Sequence, residues 1–477
     1  MKSEQPYSTR HHSIAVWELT LACNLRCSHC GSSAGKARGN ELNTQEALET
    51  VNKLQQRGIT EVTLIGGEAT LRQDWEMIAR AIVSAGMRLT LQTGGFHVDQ
   101  ALAQRIVDTG VYGVGVSLDG SEDIHDGLRG RQGSYKRGLQ AIDHLKEAGL
   151  KTVTVNTQIN RLNWQNIPQL FESLINHGVK GWMLMPTIPM GAALSDQLLC
   201  LQPYDFEALH ELMGVLSAAG RQNGMAVVAG NAMGYFGPYE RLMRDPGEGL
   251  VNYGGCPAGT QVLGLEADGT VKGCPSLPTD LYATGHVLED GIERLDQLLF
   301  GGELSLLTHD RQSISNPYRR HVEGFCLRCP FTSVCKGGCT WASSSIQGKR
   351  GDNPYCMFRS IAMNASGKHE VMVQLSAGDI GPFSRGDYRV EVRDGDPTLD
   401  TATDASPINL DNVSWPQSLA EIALRFKQQR GSVRESVGAV LQAHRAFPTL
   451  NRQDTVDRLL ESMENRTSST KVSLQHH

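Results

Sequence analysis

The feature of this sequence that most restricts its fold is a repeated junction between a helix-like stretch and an apolar run. Five times between residues 13 and 185 a glycine stands directly before the apolar run, at Gly58-Ile59, Gly86-Met87, Gly110-Val111, Gly149-Leu150 and Gly178-Val179. A glycine just past a helix can adopt the left-handed conformation that ends the helix. The junctions therefore predict strands near residues 14–20, 61–65, 88–92, 113–118, 152–158 and 181–185.

Six strands that alternate with helices favour parallel pairing through right-handed crossovers. The predicted fold is an α/β protein with a partial (β/α)6 TIM-like barrel over residues 13–200. In such a barrel the functional site lies at the carboxyl ends of the strands. We therefore expect the motifs that follow these strands to share one rim.

The remainder of the chain divides by composition. Residues 201–253, with one helix and the apolar run MAVVAG, look like a connector, and residues 254–368 form a cysteine-rich, mostly irregular domain. Residues 369–464 predict a small α+β extension: two alternating segments suggest a β-ribbon, and amphipathic helices follow from residue 417. We expect residues 465–477 to be a disordered tail.

Composition restricts the partners of the chain. The 477 residues are 40% hydrophobic and carry a formal net charge of −6, without the basic excess that a nucleic-acid-binding surface needs. Neither a secretion signal nor an uninterrupted apolar stretch of about 18 residues occurs. We therefore expect a cytoplasmic protein with no nucleic-acid or membrane partner.

Three of the eleven cysteines form the segment Cys23-Asn-Leu-Arg-Cys27-Ser-His-Cys30, just after the first predicted strand. Clustered cysteines in a cytosolic chain are more naturally metal ligands than disulfide partners. Three thiolates can hold three irons of a cubane cluster and leave the fourth iron open. The alternative is a zinc site completed by His29.

Seven further cysteines lie beyond residue 254 at ordered spacings: Cys256, Cys274, Cys326, Cys329, Cys335, Cys339 and Cys356. Two cysteines in a C-x2-C spacing can bind the same metal site, whereas cysteines far apart in the sequence are brought together only by the fold. Two metal sites are therefore more natural than one. A zinc ribbon is the structural alternative, although seven cysteines cannot complete two four-cysteine sites.

The C-x3-C-x2-C spacing after the first strand resembles the signature of the radical S-adenosylmethionine (SAM) superfamily. In that family the open iron binds the amino and carboxylate groups of SAM. Other segments resemble the family's SAM-binding motifs, namely Gly66-Gly67-Glu68 after the second strand, Ser117 in Ser-Leu-Asp-Gly after the fourth, and Met190-Gly191 after the sixth. His29 stands where the family usually has an aromatic residue, and Ala69 where proline is common.

The later cysteines resemble the SPASM domain, which carries two auxiliary clusters in maturases of peptides, sulfatases and quinone cofactors. By that resemblance Cys326, Cys329, Cys335 and Cys356 hold an outer [4Fe–4S] cluster, and Cys256, Cys274 and Cys339 hold an inner one. Residues 257–273 contain no cysteine, although some relatives supply a fourth ligand there. An open iron is therefore expected in the inner cluster. Together with the first group this gives three [4Fe–4S] clusters.

The resemblance implies reductive cleavage of SAM to a 5′-deoxyadenosyl radical, followed by oxidation of a substrate from which that radical takes a hydrogen atom. A cross-link in a ribosomally made precursor peptide is the expected product, and a flavodoxin- or ferredoxin-type protein the expected electron donor. Oxidation of a tetrapyrrole or an aminosugar, sulfatase maturation, and a non-enzymatic zinc scaffold remain alternatives. Sulfatase maturases place an aspartate base where Pro275 stands here.

Cys200 stands apart from the other cysteines. A lone cysteine is usually a small buried hydrophobe. The functional alternative is a hydrogen-atom donor that quenches a substrate radical, as in radical SAM peptide epimerases. We keep Cys200 as a candidate catalytic residue on that basis.

Overall fold

The computed structural model describes residues 13–244, 252–300, 322–397, 406–446 and 453–468. Its centre is a sheet whose first six strands are those that the glycine junctions predict: β1 Ile14–Glu18, β2 Glu61–Ile65, β3 Arg88–Thr93, β4 Gly113–Ser117, β5 Thr152–Ile159 and β6 Gly181–Pro186. All five junction glycines have a positive φ, between 64° and 97°. The predicted helix ends and the α/β class are confirmed.

Helices cover the outer face of the sheet between consecutive strands: α1 Thr44–Gln56, α2 Trp75–Ser84, α3 Gln100–Asp108, α4 Glu122–Arg129, α5 Ser134–Glu147 and α6 Ile167–Asn176. Apart from α4, which buries His125, Asp126 and Leu128, each buries a largely apolar stripe. On α2, for example, Trp75, Ile78 and Ile82 are buried, with spacings of three and four residues. This layering leaves the strand ends free to carry the site.

The sheet is larger than the six strands predicted. Strand β7, Ala226–Ala229, lies in the predicted connector and pairs in parallel with β6 after helix α7, Phe206–Gln222. Strands β8, Val262–Leu265, and β9, Val271–Lys272, come from the cysteine-rich region, and β8 pairs in parallel with β1. The order is therefore β7-β6-β5-β4-β3-β2-β1-β8-β9.

A short helix, α8 Glu240–Arg244, lies in the predicted connector. The cysteine-rich region contains further short helices, joined by irregular segments: α9 Thr279–Tyr282, α10 Gly291–Phe300, α11 Gly324–Leu327, α12 Thr332–Cys335, α13 Thr340–Gln347 and α14 Met357–Ala365. In the part of the chain with described coordinates, no helix is long and apolar enough to span a membrane.

The predicted β-ribbon is present as an antiparallel hairpin of β10, Lys368–Ser376, and β11, Asp387–Asp394. Three helices follow: α15 Gln417–Gln428, α16 Arg430–Ala446 and α17 Gln453–Ser468. Helix α17 reaches into the segment predicted to be a tail, so residues 465–468 are helical. The remaining tail residues lie outside the described part of the chain.

Candidate active site

A cavity of about 280 Å³ opens at the carboxyl ends of the parallel strands. Six strands each contribute their last or second-to-last residue to its wall, namely Glu18, Ile65, Gln92, Ser117, Gln158 and Met185. Parallel strands direct their carboxyl ends to one edge of the sheet, so this convergence follows from the topology. The cavity occupies the rim that the sequence motifs predicted.

The first cysteine group forms one side of this cavity. Cys23, Cys27 and Cys30 all line it, and their sulfurs accept hydrogen bonds from Leu25 N at 3.4 Å, Arg129 Nη1 at 3.8 Å and Ala34 N at 3.4 Å, respectively. Burial raises the pKa of the Cys27 thiol to about 12, against the opposing effect of Arg129. Donors directed at sulfur stabilise thiolate ligands, so the loop fits a thiolate-bound metal cluster.

A zinc ion in the same loop fits less well. The Nε2 atom of His29 lies 3.3 Å from a carboxylate oxygen of buried Asp119, and its buried Nδ1 atom has no hydrogen-bond partner, so His29 itself does not argue against a metal ion. The positions of the neighbouring side chains decide the question. Among the described residues, no three or more His, Cys, Asp or Glu side chains surround a position for a single metal ion. The thiolates of a cubane bind separate irons and need not converge on one point, so this arrangement is compatible with a cluster.

Asp119 connects this loop to helix α4. Its Oδ2 atom lies 2.6 Å from Arg129 Nη2, and its Oδ1 atom accepts a hydrogen bond from Gln158 N at 3.0 Å. Burial opposes ionisation of the carboxyl, but Arg129 and His29 hold the pKa of Asp119 well below its usual range. A buried charge network therefore sets the position of Arg129 beside Cys27.

Gly66 and Gly67 line the cavity, as the motif predicts, but Glu68 is not among the lining residues. The Glu68 carboxylate accepts hydrogen bonds from Thr70 Oγ1, Thr93 Oγ1 and Gly94 N, at 2.9–3.0 Å. It therefore joins the loops that follow β2 and β3. Gly94 lies on the cavity wall, so Glu68 shapes the wall without forming it.

The loop after β6 packs on the loop of the first cysteine group. Met190 lines the cavity, and Gly191, with φ of 59°, sits where a Cβ would overlap the carbonyl oxygens of Cys30 and Gly31. Ala192 N donates to Cys30 O at 2.9 Å. Gly191 thus permits the close approach of the two loops rather than facing the cavity itself.

The four cysteines predicted to hold the outer cluster, Cys326, Cys329, Cys335 and Cys356, line one small cavity among aromatic side chains. Phe325, Phe358 and Tyr235 contribute to its wall. Burial raises the pKa of Cys326 to about 11 and that of Cys356 to about 12. Four thiols around one apolar space fit a four-cysteine cluster, whose binding must displace their protons.

The three cysteines predicted for the inner cluster are also neighbours. The thiols of Cys256 and Cys339 hydrogen-bond to each other, and the Cys274 thiol is close enough to interact electrostatically with both. Pro275 and Ser276, which follow Cys274, line the large cavity, and so does Trp341, two residues after Cys339. The inner group therefore adjoins the same cavity as the first cysteine group.

Cys200 is buried, with 3% of its surface exposed, and is not among the residues that line the large cavity. Its neighbours include Tyr355 and Tyr388, and burial raises the pKa of its thiol well above the usual range. This position is that of a buried hydrophobe. It lends no support to the predicted role as a hydrogen-atom donor.

Several residues of the site were not singled out from the sequence. Glu18 and Gln158 could have been found, since both lie near the carboxyl ends of predicted strands. Burial raises the pKa of Glu18 to about 7, although Arg38 opposes the shift. Phe383 lines the cavity from the hairpin β10–β11, and no local sequence signal indicates that placement.

Comparison with known proteins identifies the barrel region. Residues 17–174 match the radical SAM superfamily. An AdoMet-dependent heme synthase of Methanosarcina barkeri is 27% identical over 360 residues, which cover 72% of this chain and 96% of that protein. The mycofactocin maturase MftC of Mycolicibacterium smegmatis is 28% identical over 328 residues, 68% of this chain and 77% of the maturase.

Among solved structures, Streptococcus suis SuiB bound to its precursor peptide SuiA is 16% identical to this chain and superposes with a TM-score of 0.53. The match covers 72% of this chain and 74% of SuiB, and at this identity it establishes the shared fold. The fold, the cavity at the strand ends and the superfamily match agree on one family, which uses SAM and a [4Fe–4S] cluster. The chain therefore contains a radical SAM domain, at residues 17–174.

Proposed function

We propose that this enzyme oxidatively modifies, and cross-links, a ribosomally made precursor peptide, with SAM and three [4Fe–4S] clusters as cofactors. The observation that carries the proposal is the shared cavity, whose lining includes the first cysteine group together with Pro275, Ser276 and Trp341. A substrate held there would adjoin both the SAM site and the inner cysteine group. An electron removed from it would have an acceptor close by.

Cys23, Cys27 and Cys30 are the proposed ligands of the SAM cluster. Gly66, Gly67, Ser117 and Met190 would border bound SAM, because all four line the cavity with those cysteines. When bound, SAM and its cluster supply the radical that removes a hydrogen atom from substrate. Glu68 and Gly191 would act indirectly, by holding the loops that form the wall.

Cys326, Cys329, Cys335 and Cys356 are the proposed ligands of the outer auxiliary cluster, and Cys256, Cys274 and Cys339 those of the inner one. The inner group has no fourth cysteine, which leaves one iron for water, a side chain or the substrate. A flavodoxin- or ferredoxin-type protein is the proposed electron donor.

The residues of the chain would position substrate and exclude water. Met185, Ile188 and Trp341 give the cavity an apolar side, and Trp341 Nε1 donates to Met190 Sδ at 3.3 Å. An apolar wall favours a substrate side chain over water next to the reacting C–H bond. Maturation activity in the relative MftC, and the peptide bound to SuiB, support a peptide as that substrate.

Tetrapyrrole oxidation is the second candidate. It is favoured by the heme synthase relative, which matches at comparable identity and over nearly its whole length. The two candidates predict different products from the same cofactors. Activity on a peptide distinguishes them.

The test begins with anaerobic reconstitution of the full chain, followed by iron, sulfide and SAM-cleavage assays. About twelve irons are expected, and the Cys23/Cys27/Cys30→Ala triple variant should hold about eight and form no 5′-deoxyadenosine. The enzyme is then incubated with SAM, a reductant and either short peptides encoded beside its gene or an iron tetrapyrrole. A peptide product lighter by two hydrogen atoms supports the proposal, whereas conversion of the tetrapyrrole alone overturns it.

A further inference from the structure

The loop that joins β10 to β11, residues 377–386, reaches back to the cavity at the strand ends. Phe383 N donates to Gly31 O at 3.1 Å, and Gly191 N donates to Ser384 O at 2.9 Å. Ser33 Oγ donates to Gly381 O at 3.2 Å. Three hydrogen bonds thus attach this loop to the first cysteine loop and to the loop after β6, both of which form the cavity wall.

The Phe383 side chain is placed between the two halves of the site. It is 6% exposed and lines the cavity, and its ring lies 3.8 Å from the ammonium of Lys272. Lys272 ends β9, two residues before Cys274. The ring therefore closes the wall between the loop of Cys30 and the strand that leads to the inner cysteine group.

The backbone of Phe383 is strained. Its φ is 54°, in the left-handed region that a bulky side chain adopts rarely. A glycine would satisfy this turn without strain, so the ring is not required by the turn itself. Strained residues held by surrounding contacts are characteristic of functional sites.

We propose that Phe383 is a positioning residue of the active site, whose ring seals the cavity on the auxiliary side and packs against an apolar side chain of the substrate. This proposal rests on the proposed function for the identity of the substrate, but the sealing role depends on SAM alone. Met185, Ile188 and Trp341 also line the cavity and supply further apolar surface. The loop of the β10–β11 hairpin is therefore part of the active site.

The test uses reconstituted full-length enzyme, SAM and dithionite, with no substrate present. Phe383→Gly removes the ring and keeps the backbone free of strain, and Phe383→Asn places a polar side chain that also tolerates a positive φ. Leu375→Ala is the matched control, because Leu375 is 59% exposed on the same hairpin. Iron content and the dissociation constant for SAM show whether each variant is folded and loaded.

Removal of the ring should admit water to the bound SAM. In D2O, both Phe383 variants should raise substrate-independent formation of monodeuterated 5′-deoxyadenosine on the order of fivefold, because the deoxyadenosyl fragment takes a further electron from dithionite and a deuteron from the admitted water. Deuterium modulation in the pulsed EPR spectrum of the reduced, SAM-bound cluster should also increase. Leu375→Ala should match the wild type in both measurements.

The proposal fails if Phe383→Gly and Phe383→Asn, with full iron and wild-type SAM affinity, match Leu375→Ala in both measurements. It also fails if both variants lose the iron of the first cysteine group, because Phe383 would then only stabilise the fold. The absence of any peptide product from the wild-type enzyme would instead contradict the proposed function, since the sealing test contains no peptide.

Discussion

Arg129 and Asp119 form a buried ion pair, with 2.6 Å between Nη2 and Oδ2, and the same guanidinium donates to the sulfur of Cys27. Asp119→Asn removes the charge that balances Arg129 and keeps the shape of the side chain. A buried charge without its partner costs about 3–5 kcal/mol. We expect a loss of that size in the free energy of unfolding of the apoprotein, measured with urea, together with lower iron content.

The control for this change is Glu76→Gln, which removes a carboxylate from an exposed pair with Arg105. Exposed pairs contribute about 0–1 kcal/mol, so this variant should unfold as the wild type does. Equal effects of the two substitutions would contradict the structural role assigned to Asp119.

Gly67→Ala should remove the SAM cluster selectively. A Cβ at Gly67 would overlap the carbonyl oxygens of Leu21 and Ala22, which lie directly before Cys23. Because both contacts are backbone, the cysteine loop would have to move. We expect the variant to keep about eight of about twelve irons and to form no 5′-deoxyadenosine, by iron analysis and chromatography.

Gly39→Ala is the matched glycine control, since a Cβ there meets no atom within 4 Å. It should retain wild-type iron and SAM cleavage. Wild-type iron content and wild-type SAM cleavage in Gly67→Ala would show that the cysteine loop does not depend on the close contact between Gly67 and the backbone of Leu21 and Ala22.

Glu18 should make stability depend on pH. Burial raises its pKa from 4.5 to about 7, so between these values the folded state binds more protons than the unfolded state. The free energy of unfolding should therefore fall as the pH rises through this range, by about 3 kcal/mol from this group. Glu18→Gln should abolish that part of the dependence and raise the melting temperature more at pH 8 than at pH 5.

Glu293→Gln, at a half-exposed position paired with Arg57, serves as the comparison for Glu18→Gln. Its melting temperature should follow that of the wild type at both pH values. If Glu18→Gln also shows a constant difference between pH 5 and pH 8, the carboxyl does not titrate in this range.

Cys200→Ala should leave iron content, SAM cleavage and product formation unchanged, because Cys200 does not line the cavity. Loss of a small buried side chain should cost about 1 kcal/mol of stability. Cys200→Ser, which buries a hydroxyl, should cost more. Wild-type 5′-deoxyadenosine formation with an altered peptide product would instead restore Cys200 as a hydrogen-atom donor.

The strands could be predicted from the sequence because their signal is local, and the three cysteines that follow β1 are likewise close together in the chain. A glycine ends each helix next to the strand it precedes, and the spacing of Cys23, Cys27 and Cys30 lies within one loop. The role of Glu68 was less predictable, since its partners Thr93 and Gly94 depend on where the neighbouring strand ends. Contacts across the whole chain, such as Ser33 with Gly381, leave no local pattern to detect.

The pairing of β8 with β1 has a consequence for how this enzyme can be divided. Four residue pairs, from Ile14 with Val262 to Trp17 with Leu265, extend the sheet of the barrel into the cysteine-rich region. A fragment that stops at residue 200 would keep the pairing of β1 with β2 but would leave the other edge of β1 unpaired and open to association with other chains. Expression of the barrel alone should therefore give a protein more prone to aggregation than the full chain.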